Sequence, residues 1–313
     1  MRIFLAGATG ALGSRLVPRL LEAGHEVTGT TRSPAKADML RAAGAEPVIA
    51  DGLDRDAIVA AIAAARPDAI VHQLTALGGL SSLRDFDGAF ALTNRLRTEG
   101  TDNLLAGARE AGTRRFVAQS FAGWPYARTG GPVKTEDDPV DPDPPAPSMR
   151  ESLAAIRRLE QTVTEAGGIA LRYGGFYGPG TGLTKGGDQV DLVRKRRFPL
   201  VGDGGGVWSF VHIDDAAAAT LAALERGTPG AIYNVVDDDP APVREWLPAL
   251  ADAAGAKPPR RVPRWLGRIA AGDAVTAMMT EIRGASNANA KRELGWEPAY
   301  PSWRQGFKAA LAG

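Results

Sequence analysis

The chain has 313 residues and a mass of 32.8 kDa, enough for about two domains or one large α/β unit with an extension. Hydrophobic residues make up 44% and charged residues 23%, which is typical of a globular protein and excludes disorder as the main state. Lys and Arg (37) balance Asp and Glu (36), so the net charge of +1 favours a small-molecule substrate over nucleic acid or an anionic membrane. With no Cys and 3 His, disulfides and thiol nucleophiles are excluded and no metal site is expected.

No segment predicts a signal peptide or a membrane span. The amino terminus, MRIFLAGATG, has an apolar run of only about five residues, and no later run approaches the roughly 18 residues that a spanning helix needs. The sequence therefore predicts a soluble, cytoplasmic protein without membrane partners.

Strand-like and helix-like patterns alternate through the first part of the chain. The predicted strands are 3–6, 26–30, 47–50, 69–72, 115–119 and 169–173, and the helices between them include 55–65, 86–111 and 148–166. This order predicts an α/β fold, a Rossmann-type doubly wound parallel sheet covered on both faces. Proline inside a helix removes a backbone hydrogen bond, so Pro18 is expected to kink the first helix.

Two units are expected. Residues 1–175, with contributions from about 205–235, form the nucleotide-binding domain, and 176–313 form a smaller substrate lobe made of inserted and terminal segments. Residues 130–147, rich in Pro, Gly and Asp, predict a mobile loop whose carboxylates keep it solvated and which can close over the cleft. Farther on, Asp214 is expected to cap the helix at 216–224, with His212 as a structural side chain beside it.

The first strand runs into a glycine-rich turn, GATGALG, that opens a helix. Such a turn offers unpaired backbone N–H groups and the positive end of a helix to a diphosphate, while the missing Cβ atoms permit close approach. A structural tight turn is the alternative interpretation. The residues expected to hold the diphosphate are Gly7, Thr9, Gly10, Ala11, Leu12 and Gly13.

The end of the second strand indicates which dinucleotide binds. An acidic residue there would hold a ribose diol, but the chain has Arg32, followed by Ser33 and, farther on, Lys36. A guanidinium suits a 2′-phosphate, so the sequence predicts NADP(H) in preference to NAD(H), with a solvated loop charge as the alternative. Asp51 after the third strand could accept a hydrogen bond from adenine or cap the next helix.

Motifs along nearly the whole chain resemble those of the extended and atypical short-chain dehydrogenase/reductases, the NAD(P)-dependent epimerase/dehydratase family. They are GATGALG, DGLD at 51–54, VHQLTA at 71–76, RY at 172–173, YGPG at 177–180, FVHIDD at 210–215 and LGWEP at 294–298. The resemblance implies a cleft between a Rossmann domain and a substrate lobe, and further cofactor contacts. These implied contacts are Gly52, Leu53, Gln73, Leu74, Thr75, Ser120 and Tyr173.

The chain departs from the family's pattern where the catalytic Tyr-x-x-x-Lys pair is expected. Alignment through Glu160 puts Ser152 at the tyrosine and Ile156 at the lysine. Phe121 replaces a hydroxyl after the fifth strand, and Trp208 stands where nucleotide-sugar enzymes often carry an arginine, which favours an apolar or aromatic substrate.

Other residues must then supply the proton. Tyr126, just past the fifth strand, is the first candidate, with Ser120 as an orienting hydroxyl and Tyr177 on the other wall of the cleft. Arg150 and Glu151 are charged candidates near the start of the helix. The alternative for each tyrosine is a packed ring with a satisfied hydroxyl.

The sequence thus predicts an NADP(H)-dependent oxidoreductase that transfers a hydride to or from the carbonyl or alcohol of a small, partly apolar metabolite. A non-catalytic NADP-binding sensor and a nucleotide-sugar epimerase or dehydratase remain as alternatives. The resemblance also suggests a homodimer formed through the helices near 97–111 and 150–166.

Overall fold

A parallel sheet of seven strands forms the centre of the molecule in a computed structural model, which describes residues 1–78 and 83–312. In chain order the strands are β1 (Arg2–Ala6), β2 (Glu26–Thr31), β3 (Glu46–Ile49), β4 (Ala69–His72), β5 (Arg115–Phe121), β6 (Val133–Lys134), β7 (Ile169–Tyr173), β8 (Gly175–Tyr177), β9 (Leu200–Val201), β10 (Val207–Trp208), β11 (Phe210–His212), β12 (Ile232–Val235), β13 (Ala241–Pro242), β14 (Arg261–Val262) and β15 (Gly284–Ala285). The central sheet has the order β12-β7-β5-β4-β1-β2-β3, which confirms the Rossmann-type doubly wound topology.

Helices cover both faces of this sheet. They are α1 (Ala11–Glu22), α2 (Pro34–Ala42), α3 (Arg55–Ala65), α4 (Phe86–Arg95), α5 (Thr101–Ala111), α6 (Arg150–Glu165), α7 (Asp188–Arg194), α8 (Ile213–Arg226), α9 (Val243–Ala253), α10 (Arg264–Ala271), α11 (Asp273–Thr280), α12 (Ala288–Leu294) and α13 (Trp303–Ala312). A π-helical turn, Leu96–Gly100, joins α4 to α5. None of the helices within the described residues is long and apolar enough to cross a bilayer.

The strand order places a ligand cleft. Strand β1 pairs with β2 on one side and with β4 on the other, so the chain reverses direction across the sheet between β1 and β4. In open α/β sheets, ligands bind outside the carboxyl ends of the strands at such a switch point. The glycine turn follows β1, at that position.

Successive side chains of the strands point to opposite faces of the sheet and pack into two hydrophobic layers, one on each face. Ile3 and Leu5 of β1 pack under α1 and α8, whereas Phe4 of the same strand packs with Ile58 of α3 and Leu159 of α6. Two further clusters lie outside these layers. One surrounds Trp246 and Phe307, and the other joins α4, α6 and α11 around Trp124 and Met149.

Helix α1 contains Pro18 without a break. Proline cannot donate to the carbonyl of Ser14, but both residues are exposed, so water can bond that carbonyl.

Residues 130–147 are tied to the rest of the molecule, and the expectation of purely solvated carboxylates is wrong. Strand β6 pairs in parallel with β15, and Lys134 is buried and bonded to Asp138 at 3.0 Å. Asp141 is also buried and accepts from Arg128 at 2.8 Å. These carboxylates anchor the segment.

The expected cap of the helix after β11 is also corrected. Helix α8 begins at Ile213, and the ring of His212 caps it by accepting from the backbone N–H of Asp214 at 3.2 Å. Asp214 lies in the first turn and accepts from Arg15 at 2.6 Å.

Candidate active site

The glycine turn after β1 packs so closely that two of its positions exclude side chains. Gly7 has φ +92°, and a Cβ there would lie 2.7 Å from the carbonyl oxygen of Gln73. A Cβ on Gly13 would lie 2.2 Å from the carbonyl oxygen of Gly7. Because backbone atoms cannot move aside as a flexible side chain can, the turn needs glycine at both positions.

The first turn of α1 keeps its N–H groups available. The helix begins at Ala11 after Gly10, and no side chain of the described residues caps it. The amino end of a helix leaves unpaired N–H groups and a partial positive charge, which favour a phosphate. Thr9 is held near β2 by donating to Thr31 at 3.2 Å. The expected residues therefore form a cradle that fits a diphosphate.

The expected recognition residues lie together at the end of β2. Arg32 is 65% exposed, and its Nη1 lies 3.9 Å from Oδ2 of Asp51. Ser33 donates its N–H to the hydroxyl of Thr31 at 3.2 Å. The contact between Arg32 and Asp51 is long and both groups are exposed, so it is weak. The guanidinium of Arg32 is therefore free to bind another anion.

Asp51 is not a helix cap. Its carboxylate accepts from the N–H of Leu53 at 3.0 Å, whereas Asp54 caps α3 by accepting from Ala57. Of the two interpretations of Asp51, adenine contact is the one that stays open.

The carboxyl end of β4 supplies the next group of expected contacts. A Cβ on Gly52 would lie 2.4 Å from a methyl carbon of Leu74, so the DGLD turn packs directly on this segment. Leu74 donates its N–H to His72 at 3.2 Å, and Thr75 is half-buried. Burial lowers the pKa of His72 to about 4, so its ring is neutral at physiological pH.

Gln73 and Tyr173 lie beneath the turn. The hydroxyl of Tyr173 lies 2.7 Å from the hydroxyl of Thr220 on α8 and 3.5 Å from Nε2 of Gln73. Burial raises the pKa of Tyr173, and Oε1 of Gln73 is buried without a hydrogen-bond partner among the described residues. That orphaned oxygen, beside the glycine turn, suits an N–H donor on a bound ligand.

Ser120 and Tyr126 belong to one buried hydrogen-bond network. Ser120 donates to Glu160 at 2.6 Å, and Arg172 donates to both oxygens of Glu160 at 2.8 and 2.7 Å. Arg172 also donates to the hydroxyl of Tyr126 at 3.0 Å, and that hydroxyl donates to Asn234 at 2.5 Å. Burial raises the pKa of Tyr126 to about 12, against the opposing effect of Arg172. The network occupies the protons of both hydroxyls.

Tyr177 lies apart from this network, in the cluster around Phe307. It is fully buried, its ring contacts those of His212 and Phe307, and a Cβ on Gly306 would lie 2.2 Å from its hydroxyl. Burial raises its pKa well above the usual value, and its hydroxyl has no partner among the described residues.

The two positions where the family's catalytic tyrosine and lysine are expected are buried in this protein. Ser152 is fully buried, donates to Asp87 at 2.7 Å and accepts from Asn94 at 3.0 Å. Ile156 packs in the apolar cluster with Trp124. Neither position offers an acidic phenol or a cation.

Sequence reasoning missed a buried cation next to these positions. Arg97, in the π-helical turn, is 8% exposed and donates to Asn94 at 3.3 Å. Burial lowers its pKa to about 10, while the charge of Glu160 raises it, so the group stays protonated. The polarity of the segment LRTEG gave no sign of burial, since α6 covers it only in the folded chain.

Trp208 packs against both the cluster around Trp246 and Phe307 and the cluster around Trp124 and Met149. It packs against Trp246 and Phe210, and its indole N–H donates to the carbonyl of Met278 at 2.8 Å. The ring therefore presents an apolar surface while its polar atom is satisfied.

A glycine cradle at the switch point of a parallel sheet, with polar groups at the neighbouring strand ends, defines a Rossmann-fold oxidoreductase that binds a nicotinamide dinucleotide. The chain matches the family model "NAD dependent epimerase/dehydratase family" over residues 3–235, and it belongs to that family. This confirms the resemblance inferred from the motifs.

The curated relatives of this chain include proteins named as reductases. The chain is 45% identical over 310 residues to 3-diazoavenalumate denitrifying reductase of a Streptomyces species, covering 98% of this chain and 99% of the relative. It is 30% identical over 271 residues to 2-alkyl-3-oxoalkanoate reductase of Stenotrophomonas maltophilia, covering 82% of this chain and 76% of the relative.

Solved structures share the fold over the whole chain. UDP-glucose 4-epimerase of Thermotoga maritima, solved with UDP-glucose, superposes with a TM-score of 0.77 at 22% identity, covering 99% of this chain and 97% of that one. The same enzyme of Thermus thermophilus, solved with NAD, gives 0.75 at 23% identity, with 99% and 97% covered. At such identity the likeness concerns the fold alone.

Proposed function

We propose that this protein is an NADP(H)-dependent reductase that transfers a hydride to a small, partly apolar carboxylate, and that the acceptor carbon carries a diazonium group. The observation that carries the proposal is that the two expected catalytic positions hold buried side chains other than tyrosine and lysine. Ser152 is bonded to Asp87 and Asn94, and Ile156 lies in an apolar cluster, so the usual proton donor is missing. The chemistry must therefore proceed without it.

The cofactor assignment rests on the fit of the glycine turn and of Arg32. The turn can hold the diphosphate, and an exposed guanidinium at the end of β2 suits the 2′-phosphate of NADP(H). Bound there, the reduced nicotinamide would supply a hydride to the substrate carbon. Gln73, Leu74 and Thr75, which follow directly after β4, would then border the cofactor.

Carbonyl reduction and diazonium reduction differ in their need for a proton. A hydride added to a carbonyl leaves an alkoxide, which needs an acid nearby. A hydride added to a carbon that bears a diazonium group forms a C–H bond while the C–N bond breaks, and dinitrogen leaves with the electron pair of that bond. No proton is transferred, and two electrons reach the substrate.

The side chains around the two expected catalytic positions support this second chemistry. Trp124, Met149 and Ile156 belong to a buried apolar cluster against which Trp208 packs, and a substrate bound beside that cluster would be shielded from water. Water is the competing nucleophile for a diazonium carbon, so its exclusion protects the substrate. The 45% identical relative, whose name describes reduction of a diazo compound with loss of nitrogen, supports the same assignment.

The test is turnover with 4-carboxybenzenediazonium and NADPH. We expect loss of the reduced-nicotinamide absorbance, release of dinitrogen and formation of benzoate. NADPH deuterated on one or the other face of C4 distinguishes catalysis from a direct reaction in solution, because the protein should transfer deuterium from one face only. Equal transfer from both faces, or a rate equal to that without protein, would contradict the proposal.

Carbonyl reduction is the second candidate, favoured by the 30% identical 2-alkyl-3-oxoalkanoate reductase. In that case Tyr126, just past β5, remains the first candidate for proton donor, with Ser120 and Tyr177 behind it. Turnover of 3-oxoalkanoates but not of the diazonium compound would establish this candidate instead. NADPH binding without consumption of either would indicate a sensor.

A further inference from the structure

Arg97 is a buried cation without a carboxylate partner in the described part of the chain. Only 8% of its accessible surface is exposed to solvent. Its single side-chain hydrogen bond within the described residues runs from Nη1 to Oδ1 of Asn94 at 3.3 Å. A buried guanidinium is costly unless it is paired. The position therefore calls for an anion.

The nearest buried acid cannot serve as that anion. Both oxygens of Glu160 are taken by Arg172, and one also accepts from Ser120. Two guanidinium groups thus share one carboxylate, which leaves an excess positive charge near the carboxyl ends of the central strands. Asp87 lies at the far end of the chain Arg97–Asn94–Ser152–Asp87 and pairs with Ser152.

The free edge of Arg97 has the shape that a carboxylate requires. Asn94 uses Nη1, so Nε and Nη2 remain, and these two nitrogens form the fork that binds a carboxylate with two parallel hydrogen bonds. Within the described residues Arg97 has one side-chain hydrogen bond, from Nη1, and the residue keeps 8% of its accessible surface. A ligand anion would approach the guanidinium through that remaining surface.

The π-helical turn places this fork beside the reaction site. Arg97 lies one helical turn from Asn94, which donates to Ser152 at the position of the family's tyrosine. Single π-helical turns occur frequently at functional sites, because the extra residue reorients a side chain.

We propose that Arg97 binds the carboxylate of the substrate through Nε and Nη2 and so selects acidic substrates. This inference rests on the proposed function and assigns the group that orients its substrate. Arg97 replaces no proton donor. It acts through binding, and it compensates in charge for the lysine missing at Ile156.

The test compares Arg97→Met, Arg97→Lys and the control Arg95→Met, since Arg95 is an exposed neighbour paired with Glu99. The substrates are 4-carboxybenzenediazonium and benzenediazonium, which lacks the carboxylate. For Arg97→Met we expect KM to rise about 10- to 100-fold with the first substrate and to stay within about twofold with the second. Lysine should restore part of the difference, and Arg95→Met should match the wild type.

Two further measurements keep the inference separate from the proposed function. Calorimetry with cinnamate and the NADP⁺-loaded protein reports carboxylate binding without turnover, and NADPH affinity reports the cofactor site. Loss of cinnamate binding in Arg97→Met with unchanged NADPH affinity supports the inference even if neither diazonium compound is reduced. Unchanged cinnamate affinity, equal KM effects on both substrates, or a parallel loss of NADPH affinity would overturn it.

Discussion

The two halves of the sheet's carboxyl edge treat their polar groups in opposite ways. At β1, β2 and β4, the helix N–H groups after Gly10 and the guanidinium of Arg32 are available to a ligand. At β5, β7 and β12, Ser120, Tyr126 and their partners are consumed by hydrogen bonds to one another. The first half keeps groups that can bind a cofactor, whereas the polar groups of the second half are buried and paired with one another. Substitutions at β5, β7 and β12 should therefore lower the free energy of unfolding without changing cofactor affinity. Substitutions at β1, β2 and β4 should lower cofactor affinity and leave the buried network intact.

The largest effect is expected from Gly13→Ala in the glycine turn. The added Cβ would lie 2.2 Å from the carbonyl oxygen of Gly7, so the turn must shift and the N–H groups that would hold the diphosphate lose their positions. We expect NADPH affinity to fall about 100-fold or more, with a loss of stability of about 1–3 kcal/mol. Calorimetry and urea unfolding measure the two quantities. Gly131→Ala is the control, since the nearest atom lies 4.0 Å away. A folded Gly13→Ala with normal affinity would refute the cradle.

Glu160→Gln tests the half of the sheet edge at β5, β7 and β12, where the polar groups are buried and paired. It removes the carboxylate between Arg172 and Ser120 and leaves a buried cation unpaired, which costs about 3–5 kcal/mol. The free energy of unfolding, measured with urea, should fall by this amount, while the folded fraction should bind NADPH normally. Glu99→Gln breaks an exposed pair with Arg95 and should cost about 1 kcal/mol or less. Equal costs for the two variants would mean that the buried network adds no stability.

Tyr126→Phe distinguishes packing from proton transfer. Loss of the hydroxyl leaves Oδ1 of Asn234 and a guanidinium N–H of Arg172 unpaired, which should lower the free energy of unfolding by about 1–3 kcal/mol. Diazonium reduction should stay within about threefold of wild type, because it needs no proton from the protein. Stopped-flow measurement of NADPH oxidation checks the rate. If ketone reduction is observed in the wild type and falls 100-fold in this variant, Tyr126 is the proton donor after all.

Local patterns were sufficient for the binding half. The glycine turn, the strands and the assignment of Ser152 and Ile156 to the catalytic pair all rest on short-range patterns, and the sheet confirms the strands. The tie between β6 and β15 joins segments about 150 residues apart, so no local signal in residues 130–147 could reveal it.

The charged groups of the other half were harder to predict for the same reason. Arg97 looks like a surface residue in its own segment, and it is buried only because α6 packs over the π-helical turn. The cap of α8 was missed because a histidine nitrogen can accept from the helix N–H as well as an aspartate can. Burial and partner choice of this kind depend on tertiary packing.

The smallest effect is expected from Arg32→Ala, and it concerns the choice of cofactor. The guanidinium is 65% exposed and its contact with Asp51 is long, so its removal should not affect folding. We expect NADPH affinity to fall about tenfold, or about 1.4 kcal/mol, while NADH affinity stays unchanged, since only NADPH carries the 2′-phosphate. Calorimetry with both cofactors measures the ratio, and Arg41→Ala, which removes another exposed arginine, is the control. Because exposed charge interactions are screened, the difference should shrink as salt is raised. An equal loss for both cofactors would mean that Arg32 supports the adenosine as a whole and does not recognise the phosphate.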